Sequence, residues 1–96
     1  MTNSARTAPM LLDTERARLL VAAGGIVAAT LKAQAGGWTV QLQTGKGGTV
    51  TLGTTKGGRV RTWRDLARAA AYVRQELGIV AAQLEMADWL PKQRVI

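Results

Sequence analysis

The chain has 96 residues, a net charge of +7, and neither cysteine nor histidine. This composition excludes a disulfide, and with only six carboxylates it also excludes a structural zinc site and a histidine-dependent catalytic centre. The length suits one small domain, which buries about 60–65% of the surface that its unfolded chain exposes.

The N-terminal part of the chain lacks sustained periodicity. We predict a flexible arm at 1–12, a single domain at 13–90 and an irregular tail at 91–96. Residues 1–10 lack the apolar segment of a secretory signal, and no run approaches the roughly 20 apolar residues that cross a bilayer. We therefore expect a cytoplasmic protein that does not associate with a membrane.

A helix and then a strand are predicted next. Asp13 and Thr14 offer an N-cap, and an apolar set ends at two glycines, which predicts a helix over 14–23. Across residues 26–34, alternation of apolar and polar side chains favours a strand. The alanines of this segment also fit one helix over 14–34 that is interrupted at the glycines.

Three glycine doublets, spaced eleven and ten residues apart, divide the following stretch: Gly36-Gly37, Gly47-Gly48 and Gly57-Gly58. Each doublet lies between short alternating runs, so we interpret the doublets as turns of an antiparallel sheet. The runs begin at Trp38, at Thr49 and at Arg59. In the last run, Val60 is predicted to face the core while Arg59 and Arg61 face away from it.

The C-terminal half predicts a second helix and a final strand. Thr62 and Asp65 form a variant capping box, which predicts a helix over 63–77 that ends at Gly78. Alternation over 80–86 predicts the last strand. The predicted fold class is α+β, with an antiparallel sheet of three to five strands, helices on one face, and the element order α-β-β-β-β-α-β.

Positive charge is concentrated in the sheet and the second helix. Residues 32–74 hold eight Lys or Arg and one acidic residue, Asp65. The net charge of this stretch is therefore +7, equal to that of the whole chain. This distribution favours nucleic acid, with duplex DNA as the expected ligand, because cations near phosphates release condensed counterions. The predicted contacts are Lys46, Lys56, Arg59, Arg61, Arg64 and Arg68. The alternative is a solvated charged face in which one arginine neutralises Asp65 or Glu76.

The tryptophans and the polar strand face suggest a second hypothesis. We expect Trp38 and Trp63 in the core, whereas Trp89 is predicted to anchor a protein partner. With a free strand edge near 80–86, this predicts an adaptor or inhibitor that docks on an acidic protein, or a homodimer. Catalysis has little support, because the carboxylates are unpaired and Ser4 is the only serine. We expect no enzyme, cofactor or metal.

Three motifs resemble the ParC-like family of small partition-associated proteins carried by plasmids and integrative elements: Gly36-Gly37-Trp38, the run from Lys56 through Trp63, and Leu77-Gly78-Ile79. The resemblance covers a little over half of the chain, and Trp63 stands where the family more often has phenylalanine. It implies a role in inheritance of a mobile element, alongside a partition ATPase and a DNA-binding partner, without a defined chemistry. The order of elements is also similar to that of double-stranded RNA-binding domains, but their Gly-Pro-x-His loop is missing.

Overall fold

The computed structural model describes residues 11–34, 36–54 and 58–89. Its elements in chain order are β1 (Leu11–Leu12), α1 (Thr14–Ala22), β2 (Ile26–Gln34), β3 (Gly37–Thr44), β4 (Thr49–Leu52), α2 (Leu66–Glu76) and β5 (Gln83–Glu85). The α+β class is therefore confirmed, and so is the strand at 26–34. Lys56, most of the predicted N-terminal arm and the predicted C-terminal tail lie outside the described residues.

The sheet has the strand order β1-β4-β3-β2-β5. The three central strands, β4, β3 and β2, are paired antiparallel with one another, as predicted. Each edge strand is parallel to its neighbour: β1 to β4, and β5 to β2. The sheet is thus mixed, because each helix carries the chain across the sheet and returns it in the same direction, which is the connection that parallel strands require. Leu11–Leu12, assigned from the sequence to the flexible arm, form the first of these edges.

One face of the sheet is apolar and the other is polar. Across β2 and β3, Ala29 lies opposite Leu42 and Leu31 opposite Val40, and all four side chains are buried. The alternate positions of the strands carry mainly Thr and Gln on the opposite face. The apolar alternation read from the sequence therefore assigns the core face of the central strands correctly.

Both helices lie on the apolar face. Buried side chains of α1 and α2, including Ala17 and Val73, join the same hydrophobic cluster as the strands. The two helices also contact each other, because the hydroxyl groups of Thr14 and Tyr72 are hydrogen-bonded. Arg18 donates from Nε to the carbonyl of Glu76 (2.9 Å) and forms an ion pair with its carboxylate. Within the described residues, neither helix is long and apolar enough to cross a membrane.

The predicted strand after the third glycine doublet is wrong. Val60 forms an isolated bridge to Gly53 at the end of β4, and Trp63 forms another to Trp38 at the start of β3. The segment therefore pairs with two strands in succession, instead of running alongside one. Gly37 permits this close approach, since a Cβ atom there would lie 2.8 Å from the Trp63 carbonyl oxygen.

Helix α2 begins three residues later than predicted. Asp65 itself is the N-cap, and its carboxylate accepts a hydrogen bond from the backbone N–H of Arg68 (2.8 Å). The capping box that began at Thr62 is therefore wrong, because the bridge at Trp63 holds this part of the chain against β3. The predicted helix stop is confirmed, since Gly78 adopts a φ of 73°, a left-handed conformation that favours glycine.

Candidate nucleic-acid interface

The described part of the connection between β4 and α2 nearest the helix carries three of the predicted nucleic-acid contacts, Arg59, Arg61 and Arg64. We call residues 58–65 the arginine segment. Hydrogen bonds join it to the end of β4 and to the start of β3, including a reciprocal pair between the backbones of Trp38 and Trp63 (2.8 and 2.9 Å). The segment is therefore held at the end of the sheet where the chain turns from β2 into β3.

Arg61 packs on aromatic rings. Its guanidinium carbon lies 4.8 Å from the ring centroid of Tyr72 and 5.4 Å from that of Trp63. These two rings contact each other with centroids 4.9 Å apart. The prediction that Arg61 faces away from the core is therefore wrong, because its side chain packs on two rings that border the core and so connects the arginine segment with α2. Cation–π contacts of this kind contribute about 0.5–2 kcal/mol.

Tyr72 is a half-buried phenol in this aromatic group. Burial raises the pKa of Tyr72 above 10.0, and the neighbouring Arg61 cation offsets part of that rise by favouring the phenolate. Glu76 acts in the opposite direction to Arg61 and adds to the rise in the pKa. At neutral pH the hydroxyl is therefore protonated and maintains its hydrogen bond with Thr14.

The other predicted basic contacts differ in their pairing. Arg59 and Arg64 are exposed, and neither forms an ion pair with any described residue. Arg68 is exposed but lies 3.5 Å from the Asp65 carboxylate, so the alternative in which an arginine neutralises Asp65 holds for this residue. Lys46 is exposed in the turn after β3. The length of β3 separates it from the arginine segment by roughly 25 Å, since an extended strand rises about 3.3 Å per residue. Arg59, Arg61 and Arg64 thus share one segment at one end of the sheet, and Lys46 lies at the opposite end.

Two clefts meet at Arg64. The first cleft, of about 370 Å³, lies between the β2–β3 turn and the arginine segment; its lining is Gln34, Gly36, Gly37, Thr62, Trp63 and Arg64. The second, of about 300 Å³, lies on the other side of the same turn; its lining is Ala33, Gly36, Gly37, Trp38, Arg64, Asp88 and Trp89. We call the second one the Trp89 cleft.

The tryptophans have different environments. Trp38 is buried, as predicted, and Trp63 is half-buried against the hydrophobic cluster. Trp89 is 45% exposed, and its ring centroid lies 6.4 Å from that of Trp38. Sequence reasoning selected Trp89 but did not place it beside Arg64, and it missed Asp88 altogether. No local pattern could have found this grouping, because Arg64 lies far along the chain from the adjacent pair Asp88 and Trp89.

The polar sheet face offers little free charge. Its Lys32 lies 3.8 Å from the Glu85 carboxylate, and Thr39 and Thr51 are buried between their neighbours. In the described ranges, no group of three or more acidic side chains is placed to hold a metal ion. The unpaired cations of the arginine segment are therefore better placed for an anionic ligand than the sheet face is.

The free edge of β5 has a different character. Val80, Leu84 and Met86 are all exposed there, with Val80 reaching 79%. A groove of about 270 Å³ between this region and α2 is lined mainly by apolar side chains, with Arg74 as its one charged residue. The predicted free edge therefore exists at Gln83–Glu85, within the described part of the chain.

Neither a curated protein nor a solved structure matches this chain. A family model described as ParC-like matches residues 12–93. That range includes both helices, the β2–β3 turn, the arginine segment and the Trp89 cleft. The match covers far more than half of the sequence, and this protein belongs to the ParC-like family.

Proposed function

We propose that this protein is a small, non-enzymatic, cytoplasmic accessory protein of a plasmid partition or mobile-element system, and that it binds nucleic acid mainly through phosphate contacts. One observation carries the proposal: Arg59 and Arg64 are exposed on one connecting segment and have no ion-pair partner among the described residues. Membership of the ParC-like family supports the partition role.

The arginine segment suits phosphate binding for electrostatic reasons. A guanidinium group presents a planar set of donors that fits a phosphate, and it is always charged at physiological pH. Arg59 and Arg64 would give up no internal ion pair on binding, whereas Arg68 would have to exchange part of its contact with Asp65. We therefore assign the main contacts to Arg59 and Arg64, with Arg68 and the distant Lys46 as secondary contacts. Contacts to phosphates alone give weak sequence preference.

The test is a titration of labelled duplex and single-stranded oligonucleotides at several salt concentrations, followed by fluorescence anisotropy. We expect wild-type affinity to fall steeply as salt rises. An Arg59→Ala, Arg64→Ala double variant should lose affinity about tenfold or more, and its log–log salt slope should fall by about two. Arg61 is left intact because its substitution would remove contacts with Tyr72 and Trp63, and a loss of stability could then be mistaken for a loss of binding.

The matched control is an Arg16→Ala, Arg74→Ala double variant, which removes the same charge from exposed positions on the two helices. We expect it to bind nearly as tightly as the wild type. The proposal fails if the wild type binds neither oligonucleotide at about 50 mM salt, where phosphate contacts are strong. Equal losses in the two double variants would also contradict it, because the arginine segment would then have no special role.

A second candidate function is that of an adaptor or inhibitor that docks on an acidic protein partner such as a partition ATPase, or that forms a homodimer. The observation that favours it is the free edge of β5, where Val80, Leu84 and Met86 are exposed. An extended segment of another chain can add to such an edge by backbone hydrogen bonds, while exposed apolar side chains supply contact area. Trp89, close to this edge in the chain, would serve as its anchor.

A further inference from the structure

The Trp89 cleft combines three kinds of chemical group. Trp89 supplies an aromatic surface, Arg64 a cation and Asp88 a carboxylate, and all three line one space of about 300 Å³. Arg64 and Asp88 are not ion-paired with each other or with another described residue. Both groups are therefore available to a ligand that enters the cleft.

The ring of Trp89 packs against a buried tryptophan, Trp38. Trp38 belongs to the hydrophobic core and is 4% exposed, and its ring centroid lies 6.4 Å from that of Trp89 at an interplanar angle of 46°. Trp38 is in turn held by the reciprocal backbone hydrogen bonds to Trp63. Trp89 thus packs against a buried core residue while almost half of its surface stays exposed. Exposed aromatic rings of this kind bind nucleobases by stacking.

Asp88 argues for a base in preference to a phosphate or an acidic protein. A carboxylate repels either of those anions, but it accepts hydrogen bonds from the amino and imino groups of a nucleobase. Arg64 lies at the junction of the two clefts, where it can donate to the phosphate that follows the base. The grouping of ring, carboxylate and cation therefore matches one nucleotide better than it matches a polyanion alone.

We infer that the Trp89 cleft binds an unpaired base of single-stranded nucleic acid, which stacks on Trp89 and donates to Asp88 while Arg64 contacts the adjoining phosphate. This inference rests on the proposed nucleic-acid binding and names its substrate class. A duplex cannot use the cleft without unstacking a base, since the faces of its bases are covered by their neighbours. The protein therefore prefers single strands over duplexes.

The test compares three labelled probes of equal length: a mixed-sequence single strand, the same sequence as a duplex, and an abasic strand that keeps the phosphates without the bases. The wild type is expected to bind the single strand at least about tenfold more tightly than the abasic strand. Trp89→Ala should weaken single-strand binding about 5- to 150-fold, the range that corresponds to loss of one stacked base. The affinity of this variant for the abasic strand, and the slope of log affinity against log salt concentration, should not change.

Two further variants separate stacking from a general loss of apolar surface. Trp89→Phe keeps an aromatic face and should retain most of the preference for the single strand. Leu19→Ala removes an exposed apolar side chain of α1 that does not line the cleft, and this variant should bind all three probes as the wild type does. Circular dichroism of each variant checks that the fold is intact.

The possible failures are distinguishable. If the wild type binds none of the probes, both the inference and the proposed function are overturned. If it binds the single strand and the abasic strand equally, and Trp89→Ala changes neither, the inference is overturned while phosphate binding stands. If Trp89→Ala abolishes self-association but leaves every oligonucleotide affinity unchanged, Trp89 serves a protein interface and the inference is likewise overturned.

Discussion

At the scale of single residues, arginines that look alike in the sequence have different roles in the structure. Arg61 contacts two aromatic rings, Arg68 pairs with Asp65, and Arg59 and Arg64 have no described ion-pair partner. Composition and spacing predicted that all of these residues lie in one basic region. Composition and spacing could not distinguish the roles of these arginines, because the partners of a side chain depend on which elements pack beside it.

We predict that Arg61→Ala lowers the free energy of unfolding by about 1 kcal/mol, through loss of the contacts with Tyr72 and Trp63. Urea denaturation followed by circular dichroism measures the change. Arg64→Ala is the control, since it removes the same charge from an exposed position and should alter stability by less than about 0.5 kcal/mol. Identical urea midpoints for the two variants would show that Arg61 does not stabilise the aromatic group.

Tyr72 should make stability depend on alkaline pH. Burial raises its pKa in the folded state above 10.0, so the folded protein holds this proton more tightly than the unfolded chain does. The resulting stabilisation is fully present below about pH 10 and is lost as pH rises through the higher folded pKa. Tyr72→Phe should weaken this alkaline loss, and it should also remove the hydrogen bond to Thr14, at a cost of about 0.5–1.5 kcal/mol near neutral pH.

The titration of Tyr72 can be followed directly, because the chain contains a single tyrosine. Ultraviolet absorbance of the phenolate should show a midpoint in the native protein above that of the same protein in urea. A native midpoint at or below the unfolded one would contradict the burial argument. Urea unfolding of Tyr72→Phe at neutral and alkaline pH then measures the linked change in stability.

At the scale of elements, local patterns predicted most helices and strands but failed where one segment meets two neighbours. The strand at 26–34 and the stop of α2 at Gly78 follow from alternation and from a single glycine. The arginine segment resembles a strand in sequence, yet its backbone bonds first to β4 and then to β3. Alternation reports that a segment is extended, but it carries no information about which strand lies beside it.

The edge strand β5 permits a test of the second candidate function. If this edge pairs with a second copy of the chain, Leu84→Lys should shift the protein from dimer to monomer, because the substitution places a charge within an apolar interface. Light scattering after size-exclusion chromatography measures the mass. Leu19→Lys is the matched control, since Leu19 is 67% exposed on α1 and lies away from β5. A monomeric wild type at high concentration, or equal effects of both variants, would count against a homodimer at this edge.

At the scale of the whole molecule, the arginine segment and the exposed apolar edge of β5 lie on different parts of the surface. Arg59 and Arg64 lie on the segment that bonds to the end of β4 and the start of β3, whereas Val80, Leu84 and Met86 are exposed at or near β5. The Trp89 cleft combines Arg64 of the arginine segment with apolar side chains such as Ala33 and Trp89. One small domain can therefore present a phosphate-binding surface and an apolar edge on different parts of its surface.

The sequence by itself determined the α+β class, the core face of the central strands, the first two glycine turns and the concentration of positive charge. These features depend on periodicity and composition, which are local properties of the chain. Only the tertiary structure decided that both edge strands are parallel, that Arg61 packs against α2, and that Trp89, Asp88 and Arg64 share a cleft. The physical reason is that these contacts join residues far apart in the chain, and their geometry is set by how the helices cross the sheet.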